Sequence, residues 1–115
     1  MTPFGAKLRA LRATKSIEQK TLAAALGVSP AYLSGLEHGK KGPPPRRLVL
    51  RTIEYFNLIW DAAEELEDLA KISQPKVIIN TAGLHPKATI LANKLGEKLS
   101  RMDEGELDIW LKKLN

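Results

Sequence analysis

Lys40, Lys41, Arg46 and Arg47 stand close together in the stretch KKGPPPRR. The chemistry open to that spacing is electrostatic, because cations on a loop stiffened by proline can neutralise the phosphates of a polyanion and release its condensed counterions. On charge alone the stretch is equally a solvated connector. Catalysis has little to stand on. His38 and His85 are the only 2 histidines, and no H-x3-H or nucleophile–base pattern surrounds either. The carboxylates Glu64, Glu65, Glu67 and Asp68 fall around one helix-forming stretch and read as a solvated face. With 0 cysteines there is neither a disulfide nor a thiolate metal site. The reading is therefore no enzyme, no catalytic residue, no metal and no cofactor.

The charge is unevenly divided. Residues 1–59 hold 10 Lys and Arg against 3 Asp and Glu, net +7, whereas residues 60–115 hold 8 against 10, net −2. A basic N-terminal half suits a polyanionic partner. At 115 residues and 43% hydrophobic content the chain fits one compact domain with an appendage. No apolar run approaches the ~18 residues of a membrane span, and the start MTPFGAKLRALRAT has no continuous apolar segment of the signal-peptide kind. The expectation is a cytoplasmic protein without a membrane partner.

The elements that must position the cations centre on Gln19 to Gly39, QKTLAAALGVSPAYLSGLEHG. Gln19 to Leu26 is rich in Ala and Leu and predicts a helix. Gly27 predicts its stop, since glycine reaches φ > 0 without a Cβ penalty. Ser29 is an N-cap candidate and Pro30 fits the first position of a second helix, where a missing N–H costs nothing. Leu33 and Leu36 lie on its inner face.

The order Gln19, Ala23, Gly27, Leu33 has the form Q-x3-A-x3-G-x5-L. With GVSPAYLSGLEHGK it resembles the helix-turn-helix regulators of the lambda-repressor-like, or Cro/xenobiotic-response-element, family, over about half the chain from Phe4 to Leu58. The resemblance implies that the second helix, residues 30–38, enters the major groove of double-stranded DNA. Pro30, Ala31, Tyr32, Ser34 and Gly35 match base-facing or backbone-facing sites, with His38 near the helix end. Ala31 would touch a thymine methyl, Ser34 would hydrogen-bond, Gly35 would permit close approach and Tyr32 would meet sugar or phosphate. This face lacks the Arg, Asn or Gln of bidentate readers, so shape readout carries more of the selectivity. The resemblance also implies phosphate contacts for Gln19, Lys40, Lys41 and Arg46, and an internal ion pair between Arg12 and Glu37.

Ser16 and Gln19 form an S-x-x-Q capping pattern, whereas the family usually has Ser or Thr where this chain has Glu18. Phe4, Leu8 and Leu11 predict a helix over about 3–13, and Val49, Ile53 and Phe56 another over 45–57. Ala62, Leu66, Leu69 and Ala70 predict a fifth over 59–72, with Trp60 packed where the common core meets the rest or, less favoured, facing a partner. Beyond Gln74, Lys76–Asn80 is β-branched and predicts a short strand, which could pair with its copy in a second subunit or be an extended linker. Ala88, Leu91, Leu95, Leu99 and Met102, then Leu107, Trp110, Leu111 and Leu114, form stripes of two more helices, the last preceded by Asp103-x-x-Glu106.

The expected architecture is mainly all-α. A five-helix DNA-binding domain at 1–73 precedes a strand and two helices at 74–115. Val77, Ile78, Ile79, Leu107, Trp110 and Leu111 would form a homodimer contact. The implied function is a sequence-specific transcriptional regulator, a repressor on a palindromic operator. The alternative is an antitoxin-like protein that autoregulates its operon and binds a partner protein through 74–115.

Overall fold

The computed structural model describes all 115 residues. Seven α-helices follow one another: α1 (Pro3–Thr14), α2 (Gln19–Leu26), α3 (Pro30–Glu37), α4 (Arg46–Tyr55), α5 (Asp61–Lys71), α6 (Pro86–Lys98) and α7 (Glu104–Leu114), with a 3-10 turn at Leu99–Arg101. Two compact units divide the chain, Met1–Val77 and Ile78–Asn115.

In the first unit α1 to α5 close around one core. Phe4 and Leu8 of α1, Leu22, Ala23 and Leu26 of α2, Leu33 and Leu36 of α3, Leu48 and Val49 of α4, Phe56, and Leu66 and Ala70 of α5 are all buried. Ile53 packs against this core from its margin. The local signals explain the boundaries. Thr2 caps α1 by accepting from the Gly5 amide at 3.1 Å, and Pro3 fills the first turn, where a proline loses no hydrogen bond. Gly5 permits the close crossing of α1 and α3, since a Cβ there would meet the Leu36 carbonyl oxygen. Ser73, just beyond α5, is buried; its hydroxyl accepts from the Phe4 amide at 2.8 Å and donates to the Leu69 carbonyl. That one side chain ties the start of α1 to the end of α5.

Three expectations are corrected here. No strand forms at Lys76–Asn80. Val77, Ile78 and Ile79 are exposed and have no ladder partner, so β-branching biases the backbone to extended geometry without producing a sheet. Trp60 does not pack; it precedes α5 at φ 52° and is 84% exposed. Ser16 is not the cap of α2, since it lies at φ 52° and Glu18 takes the cap position without a side-chain hydrogen bond.

The second unit begins with an irregular segment and a turn in which the Leu84 amide donates to the Thr81 carbonyl at 3.1 Å, with Gly83 at φ 81°. His85 Nδ1 accepts from the Lys87 amide at the head of α6. Asp103 caps α7, accepting from the Glu106 amide at 2.9 Å. Neither α6 nor α7 has a buried residue, and Leu91, Leu99, Ile109, Leu111 and Leu114 are exposed. No helix of the chain is long and apolar enough to cross a membrane.

Candidate nucleic-acid interface

Helix α3 is held from one side only. Ser29 accepts from the Tyr32 amide at 3.1 Å, Pro30 occupies the first turn, and Gly27 in the left-handed region at φ 73° ends α2 just before. Leu33, Leu36 and Glu37 are its buried residues. At about 100° per residue, the opposite face is Ala31, Ser34, Gly35 and His38. Ala31, His38 and Pro30 are exposed, Ser34 and Gly35 half-buried.

Glu37 explains why a carboxylate can be buried at the end of this helix. Its Oε2 accepts from Arg12 Nε at 2.9 Å, and its Oε1 accepts from Arg12 Nη2 at 3.0 Å and from Gln19 Nε2 at 2.9 Å. Arg12 Nη1 also donates to the Ile17 carbonyl at 3.1 Å. The fork-shaped guanidinium satisfies both carboxylate oxygens in one plane, so no lone charge remains in the interior. The pair joins α1 to α3, and Gln19 adds the head of α2. The geometry thus gives Gln19 an internal hydrogen bond to Glu37 at the mouth of α2, where its amide side chain orients α2 against α3.

Lys40, Lys41 and Arg46 are exposed on the loop after α3 and at the start of α4. The Lys41 chain lies along α3, so that a Cβ on Gly35 would come within 2.9 Å of its Cγ. Gly35 therefore makes room first for Lys41. Tyr32 is half-buried and lines a groove with Val28, Pro45, Arg47, Leu48 and Arg51. Arg47 and Arg51 lie one turn apart on α4 and extend the basic surface beside the α2–α3 turn. Arg51 was not legible as functional. Its Nη1 donates to the Leu26 carbonyl at 2.9 Å and closes the C-terminus of α2; the only signal in the sequence is the i, i+4 spacing of the two arginines. The structure thus brings Pro30, Ala31, Tyr32, Ser34, Gly35, His38, Lys40, Lys41 and Arg46 onto α3, the loop that follows it and the first residue of α4, while Val77, Ile78, Ile79, Leu107, Trp110 and Leu111 are solvent-exposed.

A helix-turn-helix domain model matches residues 3–69, more than half of the chain. The chain belongs to that helix-turn-helix family. The match spans α1 to α5 and includes the turn at Gly27, in keeping with the lambda-repressor-like, Cro/xenobiotic-response-element resemblance. This helix-turn-helix protein is also 43% identical over 44 residues to an uncharacterized HTH-type transcriptional regulator, RghRB, of Bacillus subtilis (strain 168). That alignment covers 38% of this chain and 32% of the relative, so the chain spans about a third of the curated protein it matches. No solved structure matches.

Proposed function

We propose that this chain is a sequence-specific double-stranded DNA-binding transcriptional regulator, with α3 seated in the major groove. The supporting observation is the one-sided anchoring of α3: its inner face is fixed by Leu33, Leu36 and the Arg12–Glu37 pair, and its outer face is small, polar and flanked by Lys40, Lys41 and Arg46. Cations along the loop pair with backbone phosphates, and Ala31 and Ser34 meet base edges. The family and the name of the relative agree with this reading.

The active form is a homodimer and its effect is repression. A unit of the size of Ile78–Asn115, with no buried residue in either helix, lacks the core that a chain below about 40 residues needs to stand alone. Leu107, Trp110 and Leu111, with Val77 to Ile79, offer the apolar surface, exposed in the monomer. Two copies would set two reading helices about 34 Å apart on a palindromic site. The same exposed surface favours a second reading, an antitoxin-like role in which residues 74–115 bind another protein. A gel shift on upstream DNA, titrated with salt and run beside molecular-mass determination by light scattering, tests both. A dimer with steeply salt-dependent, sequence-preferring binding is the expected result. Binding equal on all duplexes would overturn sequence-specific regulation, and a monomer would overturn the dimer.

A further inference from the structure

His38 sits at the C-terminal end of α3, exposed, on the same face as Ala31 and Ser34 and next to the Lys40–Lys41 loop. Its Nδ1 lies 2.8 Å from the Ser34 carbonyl oxygen. A carbonyl oxygen only accepts, so Nδ1 must carry the hydrogen, and the neutral ring then offers solvent a bare acceptor at Nε2. The Ser34 hydroxyl lies farther from the same nitrogen, at 3.4 Å.

A phosphate also only accepts. While Nδ1 keeps its hydrogen on the Ser34 carbonyl, neutral His38 turns a lone pair toward any phosphate it meets, and the ring can hold that bond and donate through Nε2 together only after taking up a second proton. With the N-terminal residues of α3 at base edges, its C-terminal end and the Lys40–Lys41 loop lie within reach of backbone phosphates in this reading. We propose that His38 is a proton-linked phosphate contact: binding of each protomer to DNA takes up one proton at Nε2, and affinity rises as pH falls. This inference rests on the DNA-binding reading above.

The other charged groups near His38 are already cationic or committed. Lys40 and Lys41 follow it in the loop, and Glu37 is held by Arg12 and Gln19. Met1 lies against Gly39, where a Cβ would come within 2.6 Å of Met1 Cα. The His38→Ala variant separates His38 from every other group that could take up a proton.

The test is DNA affinity of the full chain by fluorescence anisotropy between pH 6 and pH 8 at fixed ionic strength, on one duplex, for the wild type, His38→Ala and His38→Lys. One linked proton changes the binding constant by up to about tenfold per pH unit per protomer. The wild type is expected to approach that slope over part of the range. His38→Ala is expected to be weak and nearly flat. His38→Lys, which carries a donor at every pH in the range, is expected to recover tight binding with the slope still absent. Binding of the wild type that is flat in pH overturns the proton-linked contact and leaves the DNA-binding reading standing. A slope that persists in His38→Ala also overturns it and assigns the proton to another group. An absence of binding at every pH overturns both readings.

Discussion

Removing Arg12 should cost this domain far more than an ordinary surface charge. In Arg12→Ala, the buried Glu37 loses two charge-assisted hydrogen bonds, at 2.9 and 3.0 Å, and keeps only that from Gln19. Breaking a buried pair from one side costs about 3–5 kcal/mol. Arg12 is 24% exposed at its side chain, which screens part of the interaction and favours the lower end, about 3 kcal/mol. A domain the size of the first unit has about 4–12 kcal/mol of stability in all. With a urea slope of about 1 kcal/mol per M, as for small proteins, the unfolding midpoint should drop by about 3 M. The companion is Arg12→Met with Glu37→Met, which removes both charges and fills the space with apolar volume. It should regain most of the loss, because the penalty lies in the orphaned carboxylate. Urea unfolding followed by circular dichroism measures both variants. A cost below about 1 kcal/mol for Arg12→Ala, the range of solvated pairs, would refute the buried-network account. So would a double variant as unstable as the single one.

Three further outcomes follow from particular contacts. Gly5→Ala drives a methyl into the Leu36 carbonyl and must separate α1 from α3; an overpacking cost of about 1–3 kcal/mol should appear as a lower Tm in calorimetry. Trp60→Gly relaxes a residue held at φ 52° and ψ −123° whose side chain touches little, so it should leave stability unchanged or raise it by up to about 1 kcal/mol in the same scans. Lys40→Ala and Lys41→Ala should each reduce the slope of log affinity against log salt by about 0.9 while leaving the order of preferred sequences intact, measured by anisotropy at several salt concentrations.

Much of the first unit was legible because its signals are local. Gly27 stops α2 in the left-handed region and Ser29-Pro30 starts α3, each residue acting on the backbone within a few positions. The apolar spacings of α1 and α4 likewise report which side of a helix is dry. Contacts across long separations were legible only where a resemblance carried them, as for Arg12 with Glu37. Ser73 reaching Phe4, Arg51 reaching Leu26 and Gln19 reaching Glu37 depend on how helices are placed in space, which a linear pattern does not encode. The strand at Lys76–Asn80 failed for a related reason. Branched side chains state a backbone preference, but a strand exists only with a partner, and Val77 to Ile79 have none. Trp60 shows the converse, a large apolar residue that its own backbone turn points outward.

The claim that the outer face of α3 reads duplex DNA is tested most directly by selection from a randomised duplex pool with the full chain. The account predicts an enriched sequence with two symmetric half-sites about one helical turn apart, and loss of that enrichment when Ala31 and Ser34 are replaced by glutamate. A pool that emerges as random as it entered, or an enriched site indifferent to Ala31 and Ser34, would contradict it.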